Sequence, residues 1–377
     1  MIDDPTRDPA DAENEGTMTE SEREARAETT NERSAGAAAD ATTGRSAAAS
    51  AQEPNAERTS DAPLDPANEP TKLTYTVPPE QDGWRLRSVL LTGMGLSRKL
   101  LVRLRGLENA IRVNGTFDVL FHPMRAGDTV EVTLPVEASE TILPQPMDID
   151  VLHEDEHLLI VNKPWGLIVH PTSGHYINTL ANGIVHYWLQ RGESYRFRPI
   201  HRLDQDTSGV LAVAKNGYAH QYVSEQFQGG RVRKSYLAVV YGLVEQDRGT
   251  VEGPIDRDPN EPHVRIVTPN GAPSTTHYEV VERLNGATVV RVKPVTGRTH
   301  QIRVHMKHIG HPLVGDELYV DRDRYPELQT PIRRQALHAE TLSFVHPETK
   351  RPVAYEAPLT PDMQELIAFL RQQEEQR

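Results

Sequence analysis

The stretch HRLDQDTSG at 201–209 constrains this chain most, because it sets charges between two apolar runs. Pro199-Ile200 precedes it and Val210-Leu211-Ala212-Val213-Ala214 follows, a pattern of buried strand broken by a turn. Desolvating an ionised carboxylate is costly unless it is paired, so Asp204, two positions after Arg202, implies a built site. Residues two apart on an extended strand share a face, which would put Arg202 and Asp204 side by side. Thr207-Ser208-Gly209 adds hydroxyls for local backbone hydrogen bonds and a glycine for a close chain approach. Asp206 is expected to be a turn residue whose side chain bonds the following backbone.

At 377 residues the chain has length for more than one domain and for a real core. Its formal net charge of −13 is concentrated at one end. Residues 1–72 hold 7 Lys and Arg against 17 Asp and Glu, with almost no aromatic or branched apolar residue before Leu64. Such a segment cannot bury enough surface to offset ordering, so 1–72 is expected to be a disordered acidic tail. Residues 73–136 form a separate small module. Leu86, Val89 and Leu90 have helical spacing, with Gly93 and Gly95 ending that helix. Ser97 then caps a second helix, SRKLLVRLRG. On a helical wheel Leu100, Leu101, Leu104 and Leu107 gather on one arc and Arg98, Lys99, Arg103 and Arg105 on the other. Ile111–Val113 runs into an Asn114-Gly115 turn, and 129–134 reads as the closing strand.

Residues 137–150, with Pro144 and Pro146, read as a linker. From 151 to 372, short apolar strands such as 158–161, 210–214, 236–241 and 289–292 alternate with turns and a few helices, the last near 361–372. There is no regular strand–helix alternation, so the expected fold class is α+β, with a mixed, largely antiparallel sheet. The chain has no cysteine, which removes disulfides, thiolate chemistry and zinc sites built on sulfur. No run approaches the length of a membrane helix, and Asp3 and Asp4 stand where a signal peptide is basic. The expected setting is cytoplasmic, away from membranes.

HRLDQDTSG is similar to the signature of the RluA-type family of RNA pseudouridine synthases. Three more segments agree in order: NKPWGLIVHP at 162–171, RKSYLAVVYG at 233–242 and TGRTHQIRVH at 296–305. The resemblance spans roughly 151–345. It implies the mixed-sheet fold of these enzymes and an isomerase that turns uridine into pseudouridine in RNA. That reaction has no net redox change and calls for no nicotinamide, flavin or metal, so the expected cofactor is none. The aspartate of the family motif corresponds to Asp204, the active-site tyrosine to Tyr236, and the apolar–basic pair to Ile302 and Arg303. Arg303 is the expected partner that keeps Asp204 charged, with Arg298 as competitor. Arg202, and with it His201, would help hold RNA with the target base turned out of its stack. Lys163, Pro164 and Gly166 belong to the framework beside the cleft.

The 73–136 module resembles the helix–turn–helix-plus-strands RNA-binding unit of a small-subunit ribosomal protein and of many RNA modifiers. Its 83–135 segment holds 8 basic and 4 acidic residues, the reverse of the tail. Arg98, Lys99, Arg103 and Arg105 are the expected phosphate contacts. Large-subunit ribosomal RNA is the preferred substrate by analogy, with transfer RNA second, and the chain is expected to act as a monomer. Two other classes compete: a non-catalytic RNA-binding assembly factor, and a hydrolytic glycosidase pairing Asp204 with Asp206.

Three patterns suggest other chemistry. HEDEH at 153–157 spells a zinc-protease string, which requires a helix, yet it runs into the strand pattern 158–161. His305, His308 and His311 are spaced by three, but Gly310 and Pro312 interrupt a helix there, leaving RNA contacts or surface roles. Gly93-x-Gly95 lacks the third glycine of a dinucleotide loop.

Overall fold

A computed structural model describes residues 68–117, 119–321, 323, 325 and 330–375, without the side chains of 374 and 375. The acidic stretch, apart from 68–72, lies outside the described residues. The first strands are β1 (Lys72–Thr76), β2 (Ile111–Val113), β3 (Thr116–Phe117) and β4 (Thr129–Thr133), which form a four-stranded antiparallel sheet ordered β1-β4-β2-β3. Asn114 and Gly115 both take positive φ (49° and 81°), giving the tight β2–β3 hairpin that this dipeptide favours.

Helix α1 (Arg98–Arg105) starts where Ser97 Oγ accepts the Leu100 N–H at 3.0 Å. Leu101 and Leu104 are buried with Leu86, Leu90, Val130 and Val132 in the module's apolar core. Leu107 is 41% exposed, because α1 ends at Arg105 and the helical arc stops before it. The helix expected around Leu86 is a single turn, Leu86–Ser88, continued by a wider turn, Val89–Gly93, whose closing bond is Met94 N–H to Val89 O. Residues 137–150 form neither helix nor strand and turn at 140–142, and Ile142 packs into the next core.

The remaining strands are β5 (Val151–Glu154), β6 (Leu158–Lys163), β7 (Arg198–Pro199), β8 (Ser208–Ala214), β9 (Arg233–Tyr241), β10 (Arg248–Glu252), β11 (Ile255–Arg257), β12 (Arg265–Val267), β13 (Thr275–Leu284), β14 (Ala287–Pro294), β15 (Leu337–Val345) and β16 (Pro352–Glu356). All but β11 and β12 join a ten-stranded sheet that runs β10-β13-β14-β9-β15-β8-β6-β5, with β16 on β15 and β7 on β8. Every pairing is antiparallel except β8 with β15, so the sheet is mixed and largely antiparallel.

The helices of this unit are α2 (Leu180–Gln190), α3 (Gly217–Gln228), α4 (Gln301–His308) and α5 (Pro361–Glu375). Every residue of β8 is buried, which explains its uninterrupted apolar sequence. β6 and β8 share a core with Leu180, Ile184 and Trp188 of α2 and with Ala219 and Val223 of α3. Each large aliphatic side chain in it contributes about 1.5–3 kcal/mol by leaving water. This core anchors the β7–β8 connection, which carries Asp204.

Candidate active site

Residues 201–207 are not a strand; they loop from β7 to β8. The expectation that Arg202 and Asp204 share a strand face therefore fails, and Arg202 is exposed while Asp204 is half-buried. Both still line one cavity of about 400 Å³, a size suited to a small ligand (about 300–1,000 Å³). Gly209 (φ +115°) lets β8 pass against β15, since a Cβ there would lie 2.2 Å from Ala339 O.

The loop is held from below. Lys163, fully buried, donates its Nζ protons to the carbonyls of Pro164 (2.7 Å), Leu167 (2.8 Å) and Gln205 (2.9 Å). Burial pushes its ammonium down to about 7, against the pull of Asp206 and Asp204. Three carbonyl acceptors call for three N–H donors, so the charged form fits the site. Arg334, also buried, donates to Asp206 O (3.1 Å) and Ser208 Oγ (3.2 Å) and grips Asp362 through Nε at 2.7 Å. The hydroxyls expected to make local bonds instead reach across the fold: Ser208 Oγ lies 2.9 Å from His338 Nδ1, and Gln335 Nε2 donates to Thr207 Oγ1 at 3.4 Å. Asp206 serves through its backbone carbonyl, and its side chain makes no hydrogen bond among the described residues.

Arg303 on α4 is the guanidinium beside Asp204: its Nη1 donates to Asp204 Oδ2 at 3.5 Å. Its main partner is Asp316, 1% exposed, which it holds at 2.6 Å through Nε and 2.7 Å through Nη2. Burial works against the Arg303 charge, but the Asp316 bonds and the fields of Asp316 and Asp204 outweigh it and raise the guanidinium above its ordinary value. Arg298 lines the cavity, yet its side chain is exposed and makes no ion pair among the described residues; its backbone N–H donates to Gln301 Oε1 at 3.0 Å. Ile302 is buried against the cavity wall.

Tyr236 on β9 forms part of the wall. Burial, helped by the charge of Asp204, raises its phenol well above the usual range, so it is neutral at pH 7. His201 also lines the cavity, but its Nε2 accepts the Ala212 N–H (3.2 Å) and its ring stacks on Phe227 at 5.3 Å. Burial pushes His201 down to about 3, so it is a neutral acceptor bracing β8. His300, at the start of α4, faces Asp204 Oδ2 with Nε2 at 4.0 Å. The sequence assigned no role to Asp316, Arg334 or His300. His300 carried a signal by lying inside TGRTHQIRVH, and Asp316 a weaker one as the first of two acids after the apolar Leu313-Val314.

In the module, Arg98, Lys99 and Arg105 are exposed, with no ion pair among the described residues. Arg103 is tied to Glu137, which also holds Arg198 of β7, next to the 201–207 loop.

HEDEH lies across the β5–β6 turn, not on a helix. Glu156, His157 and Glu348 do approach one another. However, Asn216 Oδ1 accepts the Ala219 N–H, so its amide N–H₂ must face His157 Nδ1. Neutral His157 then carries its proton on Nε2, toward Glu348, and offers no lone pair to a metal there. His305 departs from expectation: it is fully buried in α4, with Nδ1 2.8 Å from Thr276 Oγ1 and Nε2 2.9 Å from Gly253 O. It is neither a surface group nor an RNA contact.

Residues 157–308 match the family model described as RNA pseudouridylate synthase. Over 267 residues the chain is 43% identical to the uncharacterized RNA pseudouridine synthase YlyB of Bacillus subtilis (strain 168), covering 70% of this chain and 86% of that protein. Over 309 residues it is 36% identical to ribosomal large subunit pseudouridine synthase D of Escherichia coli (strain K12), covering 80% of this chain and 94% of that one. The solved structure of human RNA pseudouridylate synthase domain containing 1 aligns with a TM-score of 0.47 at 30% identity, covering 58% of this chain and 89% of that one. The chain therefore belongs to the RluA-type family of RNA pseudouridine synthases, isomerases that act on RNA.

Proposed function

We propose that this enzyme isomerises specific uridines of large-subunit ribosomal RNA in the cavity around Asp204. The observation that carries the reading is the state of that carboxylate. Oδ2 is flanked by Arg303, while Oδ1 has no protein partner among the described residues. One oxygen is thus braced and the other is available to the sugar. In the reaction the N1–C1′ bond of uridine breaks, the detached base turns, and C5 bonds to C1′. C5 then gives up its proton, and N1 ends protonated. Asp204 acts at the sugar, Arg303 fixes its Oδ2, and neutral Tyr236 stacks on the everted uracil. Arg202, His201, Ile302 and Arg298 form the binding surround, with the two exposed arginines suited to flanking phosphates.

The ribosomal substrate is supported by relatives such as the ribosomal large subunit pseudouridine synthase D of Escherichia coli. The exposed Arg98, Lys99 and Arg105 add a sequence-independent grip on the backbone, and Arg103 joins them where RNA displaces Glu137. A ribosomal RNA substrate fits a cytoplasmic setting, and a cavity lined by Asp204, Tyr236 and Arg303 of one chain fits action as a monomer. No described helix is long and apolar enough to cross a membrane. Pairing Asp204 with Asp206 for hydrolysis finds no support, since Asp206 does not line the cavity. The test is carbodiimide-dependent primer extension on RNA from cells with and without the protein. Loss of stops at defined large-subunit positions is expected; loss confined to transfer RNA, or no loss, would overturn the substrate assignment.

A further inference from the structure

We propose that His300 is a positioning residue for the catalytic carboxylate, a neutral N–H donor that shares Asp204 Oδ2 with Arg303 and leaves Oδ1 to the sugar. The inference rests on the assignment of Asp204 made above. His300 sits where the chain enters α4, with φ at 56°, a left-handed conformation uncommon for a residue with a side chain. Such backbone strain tends to be kept where it aims a side chain. Its ring lies between two groups that fix its proton.

On one side is Tyr319, 1% exposed, whose oxygen accepts the Arg265 N–H at 2.9 Å and lies 2.7 Å from His300 Nδ1. Burial pushes the Tyr319 phenol up to about 12, so it keeps its proton. With Arg265 already donating to the oxygen, that O–H has Nδ1 as its acceptor. A neutral imidazole carries one proton, which must then be on Nε2. Nε2 faces Asp204 Oδ2 at 4.0 Å, beyond hydrogen-bond reach, and the proposed role requires the two to close to about 3 Å once substrate is bound.

The charged and titratable groups facing the ring are Asp204, Arg303, Asp316, Arg265 and Tyr319. Burial lowers the pKa of His300; the Asp204 charge pulls it up and that of Arg303 pushes it down. The ring is therefore neutral at pH 7, and Asp204 Oδ2 has one cation, Arg303, and one dipole within 4.0 Å. Acidification through the His300 pKa adds a second cation beside Oδ2, which ties down the carboxylate charge that the reaction uses.

The test compares native enzyme, His300→Gln, His300→Met and Asp204→Asn on a transcript carrying the mapped uridine. Glutamine can place an amide N–H near the Nε2 position but cannot titrate; methionine offers no donor. His300→Met is expected to lose about 10–100-fold in kcat with KM within about twofold, as a misplaced reacting group would. His300→Gln should stay within about threefold of native. The native acid limb of kcat, below the ordinary imidazole value of 6.5, should move to lower pH in His300→Gln. Native kcat in His300→Met, a His300→Gln as slow as His300→Met, or an unmoved acid limb would each overturn the inference. Product formed at the native rate by Asp204→Asn would instead overturn the assignment of the carboxylate itself.

Discussion

The cleft and the N-terminal module use charge in opposite ways. Behind Asp204 the buried cations are each held by matched partners: Arg303 by buried Asp316, Arg334 by Asp362, Lys163 by three carbonyls. In the module the core is apolar, and Arg98, Lys99 and Arg105 lie outside with no ion pair among the described residues. The contrast fits the role proposed for each region. Orienting a reacting carboxylate requires groups whose geometry is set before substrate arrives, and a buried ion holds still only when its donors and acceptors are matched. Gripping a phosphate backbone rewards loose cations that exchange counterions for RNA. The regions are nonetheless joined, since Tyr218 of α3 lies in the module's core and Glu137 links Arg103 to Arg198.

That contrast breaks most visibly at Asp316. Asp316→Ala strands a buried guanidinium and should cost about 3–5 kcal/mol of stability in urea titrations, with activity falling well beyond the unfolded fraction. A stable, active variant would mean the cleft does not depend on its internal charge network. In the module, replacing Arg98, Lys99 and Arg105 together with alanine should leave stability within about 0.5 kcal/mol per site. RNA affinity should drop, and the slope of log K against log salt should flatten by roughly 0.7–0.9 for each phosphate no longer neutralised. At saturating RNA, kcat should persist. An unchanged slope would remove the module's proposed role.

Acid sharpens the same comparison. His201 is held neutral, at about 3 against an ordinary 6.5, and burial likewise lowers His157, His305 and His338. Between pH 6.5 and 3 the unfolded chain binds protons that the folded His201 refuses, so stability should fall as pH falls through that window. His201→Phe should flatten the decline while losing the Ala212 bond, and melts at several pH values would report both. Smallest is the cap of α1: Ser97→Ala should cost about 1 kcal/mol, confined to the module.

Much of this was legible in the sequence where local chemistry decides. The apolar runs at 158–161, 210–214, 236–241 and 289–292 fall within β6, β8, β9 and β14, and Ser97 caps α1. The motif segments brought Asp204, Tyr236, Ile302, Arg303, Arg202, His201 and Arg298 to one cavity. What was hidden depends on interactions between residues far apart in the chain. Arg334 meets the 201–207 loop across 128 residues, and no spacing rule announces it. The shared strand face expected of Arg202 and Asp204 failed, since Lys163 and Arg334 hold that stretch as a loop by its carbonyls. His201, expected to help hold RNA, lines the cavity and also braces β8, a second role no motif announces.

The account turns on the free oxygen of Asp204, and one measurement meets it directly: single-turnover pseudouridine formation by Asp204→Asn, with RNA affinity determined on the same preparation. The amide keeps the side chain's shape and loses its charge. Product formation should fall by about 10⁴-fold or more while RNA affinity stays near native. Native-rate product from that variant would contradict the account.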